Sequence, residues 1–116
     1  MSIFLQLKVL KFILIKFLEI NGKNLTEFCI NRFRGNVDSI NLALAKFCPN
    51  LKILTTIFKE DELETLKIIL NSCEYLEIIK VWYGDEYLNG KAFFKVLSEY
   101  LQKNFYELSV MYRLFL

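Results

Sequence analysis

The sequence predicts an α/β protein in which short strands alternate with helices along one repeating array. One pattern occurs five times in the 116 residues: an apolar residue, two variable residues, a second apolar residue, one variable residue and an apolar or β-branched residue. The stretches between these cores carry apolar residues at three- and four-residue steps, which is typical of the buried stripe of a helix. The composition agrees, because 54% hydrophobic residues with one proline and four glycines exclude a disordered chain.

The five cores are the predicted strands, because their last positions alternate with the period of two that a strand has. Their first residues follow one another at intervals of 18, 26, 25 and 29 residues. The cores are residues 7–12, 25–30, 51–56, 76–81 and 105–110.

Four helices are predicted between the cores. Capping residues support two of them, since Asp61 with Glu64 forms a capping-box-like pair and Asn89 is a favourable N-cap. The first helix lies ahead of Gly22. The helices are residues 14–20, 37–48, 63–73 and 93–101.

One strand–turn–helix unit cannot bury its own apolar face, whereas stacked units bury a continuous core. The predicted fold is therefore an α/β solenoid, a right-handed βα superhelix built as a single array over residues 1–116. About five parallel strands line its concave face and about four helices cover its convex face.

Two segments, FCPNL at 47–51 and SCEYL at 72–76, end a helix and open the next core in the same way. With the period and the five cores, they resemble leucine-rich repeats, in particular the cysteine-containing, ribonuclease-inhibitor-like subclass. That subclass forms the carboxyl-terminal repeats of F-box/leucine-rich-repeat proteins, including large fungal families. The resemblance covers about residues 7–112 and implies a substrate receptor in ubiquitin ligation, whose repeats bind the target protein.

The chain departs from the family pattern at its turns and at its ends. The family places Asn or Cys three residues after the last apolar position, where its side chain bonds the turn backbone. Other residues stand there, so we expect irregular turns. Neither end has a polar capping repeat and no F-box precedes the repeats, so we expect a fragment of a longer array, without adaptor binding. The four turn residues are Phe33, Lys59, Gly84 and Arg113.

The three cysteines form no CxxC pair and cannot all pair with one another, which favours a reducing compartment, the cytoplasm or the nucleus. Cys48 and Cys73 occupy equivalent repeat positions, three residues before Leu51 and Leu76. We expect two small buried side chains that end successive helices, although a redox pair or a metal-ligand set is the functional alternative. Cys29 lies on the opposite phase of its strand and is expected to be more exposed.

Composition excludes several functional classes. The absence of histidine removes the usual catalytic triads and most transition-metal sites, so no catalytic residue, metal or cofactor is predicted. A net charge of +2 gives little attraction for nucleic acid or anionic membranes. The acidic run at 60–62 fits a helix start better than a catalytic carboxylate pair. Five polar residues interrupt the apolar start of the chain, which excludes a membrane span: Gln6, Lys8, Lys11, Lys16 and Glu19.

Strand phase predicts a binding surface for a protein target. If Leu54 and Thr56 point into the core, the alternate residues face outward on the concave sheet, and Trp82 is the best single candidate because Trp and Met are enriched in interface cores. Two other interpretations stay open: another part of a larger protein covers this row, or Trp82 belongs to the core of a turn. A truncated repeat with no independent activity is the alternative function. The predicted partner-binding residues are Ile53, Thr55, Ile78, Lys80, Trp82, Glu107, Ser109 and Met111, accompanied by Glu27, Cys29, Asn31 and Ile57.

Overall fold

The computed structural model describes residues 3–30, 37–58, 62–83, 95–99 and 107–112. Helices and strands alternate along them, which confirms the mixed α/β class. A single turn of 3-10 helix, Gly22–Asn24, follows the first helix, and residues 95–99 are also helical. The remaining elements are α1 (Ile3–Asn21), β1 (Glu27–Cys29), α2 (Asp38–Phe47), β2 (Ile53–Phe58), α3 (Leu63–Ser72), β3 (Ile78–Tyr83) and β4 (Glu107–Tyr112).

The four strands form one parallel sheet in the order β1-β2-β3-β4, which is also their order along the chain. Parallel neighbours need a crossover connection. Helix α2 supplies it between β1 and β2, and α3 supplies it between β2 and β3. Each of these described strands therefore pairs only with its neighbours in sequence.

The helices form a layer in which α2 packs between α1 and α3. Leu18, Leu44 and Ile69 occupy the same place in the three helices, four residues before Gly22, Cys48 and Cys73 respectively, and all three are fully buried. On the sheet side of the core, Leu54 and Ile79 are fully buried as well. Successive units thus contribute equivalent side chains to one continuous core.

A buried polar contact ties the helix layer to the sheet. The Nδ2 of Asn41 in α2 donates to the backbone oxygen of Ile57, at 3.1 Å, and its Oδ1 accepts a 2.7 Å bond from the hydroxyl of Thr56. Asn41 and Thr56 are both fully buried, so the pair satisfies polar groups that would otherwise be costly inside the core.

The first predicted strand is wrong, because residues 7–12 lie inside α1. The predicted helix at 14–20 is correct, but the helix begins at Ile3 and includes residues 7–12 without a break. No glycine or proline interrupts residues 3–21. The Leu and Lys residues of this stretch have high helix propensity, so residues 7–12 can form a helix although their apolar spacing also fits a strand. The described residues therefore contain four strands.

The other helix predictions agree with the structure where it describes them. Helices α2 and α3 occupy the stripes predicted at 37–48 and 63–73, and residues 95–99 fall within 93–101. The N-cap of α3 is Glu62, without a side-chain capping bond. Several predicted turn and capping residues lie outside the described residues: Phe33, Lys59, Asp61, Gly84, Asn89 and Arg113.

Candidate protein-binding face of the sheet

The strand register places all eight predicted binding residues on one face of the sheet. Because side chains alternate between the two faces, odd-numbered residues of β1, β2 and β4 share a face with even-numbered residues of β3. We call this the ladder face. It carries one row of Glu27, Ile53, Ile78 and Glu107, a second of Cys29, Thr55, Lys80 and Ser109, and a third of Ile57, Trp82 and Met111.

The phase of β2 is fixed by its contact with α2. Leu54 and Thr56 are fully buried, and the Thr56 hydroxyl bonds to Asn41 of that helix. The even-numbered residues of β2 therefore face the helix layer, as predicted. Ile53, Thr55 and Ile57 consequently belong to the opposite side, the ladder face. Asn31, also predicted for this row, lies outside the described residues.

The predicted exposure of the ladder face is correct at its edge and wrong in its middle. Glu27 and Cys29 on the first strand are exposed, and Ile53 is half-buried. Thr55 and Ile57 retain only 9% and 8% of their accessible surface. Both belong to an inner strand, and β1 and β3 flank Thr55 at about 4.8 Å on either side, which accounts for the cover over Thr55. Sequence alone could not show that shielding.

The half-buried residues of β3 extend the accessible part of the ladder face. Ile78 and Lys80 both keep part of their surface, and Ile78 pairs in register with Ile53. Row one therefore has two aliphatic residues at its centre and a glutamate on each outer strand, Glu27 and Glu107. Lys80 is the one basic residue placed on this face within the described strands.

Cys48 and Cys73 are buried, as predicted. Burial raises the pKa of the Cys48 thiol to about 11. It raises that of Cys73 to about 12, with a further contribution from Cys48. Because the thiolate is the reactive form, neither side chain is suited to nucleophilic or redox chemistry near neutral pH. Cys29 is exposed, also as predicted.

Within the parts of the chain that the structure describes, no three His, Cys, Asp or Glu side chains are grouped as metal ligands. The acidic run at 60–62 is described only at Glu62, which is buried at the start of α3. The ladder face supplies aliphatic, hydroxyl and a few charged groups side by side.

Sequence reasoning missed a second surface, on the helix layer. A groove of about 320 Å³ lies between α1 and α2, with Phe12, Ile15 and Leu42 among its apolar lining residues and Lys16 and Glu19 at its polar part. Several large apolar side chains of α1 beside it are exposed. Their three- and four-residue spacing was the available signal, and assigning residues 7–12 to a strand concealed it.

No helix among the described residues is long and apolar enough to span a membrane. No family model matches the chain, and no curated protein or solved structure matches it either. The resemblance to leucine-rich repeats therefore stays a prediction based on the sequence motifs.

Proposed function

We propose that this chain is a non-catalytic recognition module that binds a protein target on its ladder face. The register of the four strands carries the proposal, because it sets the predicted residues in three adjacent rows. Ile53 and Ile78 are half-buried neighbours in the first row, and Trp82 pairs in register with Ile57 and Met111 in the third. Accessible apolar residues that lie side by side mark contact surfaces, and Trp is enriched among residues that dominate binding energy.

The charges on the ladder face indicate the chemistry of the target. Its apolar centre favours aliphatic or aromatic side chains. Glu27 and Glu107 at the outer positions of the first row favour basic groups, and Lys80 in the second row favours an acidic group. We therefore expect a target segment with an apolar middle and charges of both signs, since complementary charges fix register and select partners.

A solenoid of leucine-rich-repeat type is the architecture that we propose around this face. Strands that pair in chain order and equivalent buried residues in successive helices support it. Helix α1 is then the helical half of the first unit. In that setting the chain corresponds to the target-binding repeats of an F-box/leucine-rich-repeat receptor in ubiquitin ligation. Its free cysteines fit a function in the cytoplasm or the nucleus.

The decisive experiment compares captured partners between variants. Wild-type chain, Lys80→Glu and Trp82→Ala are used as bait, with Lys95→Glu as the matched control because that lysine is exposed on the helical segment 95–99. We expect a partner that is enriched by wild type and by the control and lost with both ladder-face variants, while the circular dichroism of all four proteins agrees.

Partners that bind all four proteins equally would overturn the proposal. If Trp82→Ala alone unfolds, the indole belongs to the core. Loss or retention of the partner with Lys80→Glu would then decide whether the ladder face binds it.

One observation favours the alternative, a repeat segment without independent activity. Helix α1 exposes large apolar residues, as an inner helix of a longer array does when its neighbour is missing. In that case the chain aggregates with rising concentration and does not unfold as a two-state system, whereas an autonomous module unfolds cooperatively.

A further inference from the structure

Helix α1 carries a continuous apolar stripe on the side away from the core. Leu10, Ile13, Phe17 and Ile20 follow one another at steps of three, four and three residues, and their exposed fractions lie between 50% and 78%. Leu18, on the inner side of the same helix, is fully buried. The helix is therefore apolar on two sides, although only one side has a partner among the described residues.

The α1–α2 interface shows what this side is shaped to contact. Ser39, Ala43 and Lys46 of α2 line the groove that α2 forms with α1, so they lie on the side of α2 that meets the preceding helix. One repeat of 26 residues earlier, the equivalent positions of α1 are Ile13, Phe17 and Ile20. The exposed stripe thus occupies the positions that, in α2, contact the preceding helix. Its residues are more apolar than those of α2 at these positions.

We propose that this stripe pairs with the α1 stripe of a second copy of the chain. Apolar residues at alternating three- and four-residue steps form the a/d seam through which helices pair with copies of themselves. In an antiparallel two-fold arrangement, Leu10 lies near Ile20 of the other copy and Ile13 lies near Phe17. Lys16 and Glu19 beside the stripe already form a 3.3 Å ion pair, so together they add no net charge to the interface.

The exposed area suits a weak, reversible dimer. The four stripe residues offer about 400 Å² of apolar surface per copy, judging from their exposed fractions and the areas that such side chains bury. Pairing then buries about 800 Å² in total, within the range of weak, transient interfaces. A head-to-tail stack is less favourable, because the last described helical residues expose the polar side chains Lys95, Ser98 and Glu99.

Sedimentation equilibrium over about a hundredfold concentration range tests the proposal with the full chain. We expect a monomer–dimer equilibrium whose dissociation constant rises at least about tenfold in Ile13→Glu and in Phe17→Glu, because a charge in the seam loses its solvation. Ile68→Glu is the matched control, since Ile68 is 45% exposed on α3, beyond α2. The control must dimerise as wild type does, and circular dichroism must show all variants folded.

Cysteine cross-linking tests the antiparallel arrangement in a Cys29→Ser background. An equimolar mixture of Ile13→Cys and Phe17→Cys chains should form disulfide-linked dimers, and neither chain should do so alone. A monomer at every concentration, an open-ended series of oligomers, or a dimer that survives both stripe substitutions would overturn the proposal. Wild-type chain that stays monomeric but co-sediments with anionic phospholipid vesicles would assign the stripe to a lipid surface instead.

Discussion

The thiol of Cys73 lies 3.3 Å from the backbone oxygen of Cys48, the residue at the equivalent position one unit earlier. Cys48 in turn stands beside Gly22, the equivalent position one unit before that. These three residues end successive helical segments and form a column between the helix layer and the sheet. The column links the carboxyl end of each helix to the next unit, so its members require small side chains.

Substituting Gly22 tests the close packing of this column. A Cβ at Gly22 would lie 2.8 Å from the carbonyl carbon of Phe47 and 3.0 Å from Cys48 Sγ, and the carbonyl belongs to backbone that cannot simply rotate away. We expect Gly22→Ala to lower the free energy of unfolding by about 2 kcal/mol, as overpacking of a core does. Urea denaturation measures it. Asn24→Ala, an exposed change in the same turn, should have a much smaller effect; equal losses would contradict the packing argument.

The buried Asn41–Thr56 pair predicts a coupled loss of stability. Asn41→Leu leaves the Thr56 hydroxyl and the Ile57 carbonyl without their described side-chain partner, at a cost of about 2–3 kcal/mol for buried polar groups. Thr56→Val removes one of those stranded groups. In the double variant, the free energy of unfolding should therefore fall by less than the sum of the two single losses. Additive losses in thermal or urea unfolding would show that the two side chains are not coupled.

Thiol labelling distinguishes Cys29 from the two column cysteines. At pH 8 an aromatic disulfide reagent should modify one thiol per native chain rapidly, because Cys29 is exposed while Cys48 and Cys73 are buried with raised pKa values. All three should react quickly in denaturant. Cys29→Ser should abolish the rapid phase, and a second rapid thiol in that native variant would contradict the buried placement.

The same two thiols predict a loss of stability at high pH. Their pKa values rise on folding from 9.0 to about 11 and about 12, so the folded chain holds these protons more tightly than the unfolded chain. The contribution of the two protonated thiols to the free energy of unfolding is complete below pH 9, and it declines as the pH rises towards 11 and beyond. Unfolding free energies of wild type and Cys73→Ala, measured between pH 8 and 11, should show a shallower decline in the variant. Parallel curves would exclude the Cys73 thiol as a cause.

Local periodicity was sufficient to predict the four described strands and the phase of β2. The alternation around Leu54 and Thr56 gave the phase of β2, and alignment of the cores placed Ile53 beside Ile78. Residues 7–12 fit the same local pattern, but nothing breaks the helix that continues through them. The cover over Thr55 depends on neighbouring strands and the Asn41–Thr56 bond on tertiary contact, so a single segment carries no signal for either.

The strand order has a consequence for how such a protein changes over evolutionary time. Each described strand is hydrogen-bonded only to the strand before it and the strand after it in the chain. Duplication of one unit inserts a strand and its helix together, and deletion removes both, while the remaining units keep the same kind of neighbour. The width of the sheet can therefore be altered in whole units without redesigning the rest of the molecule.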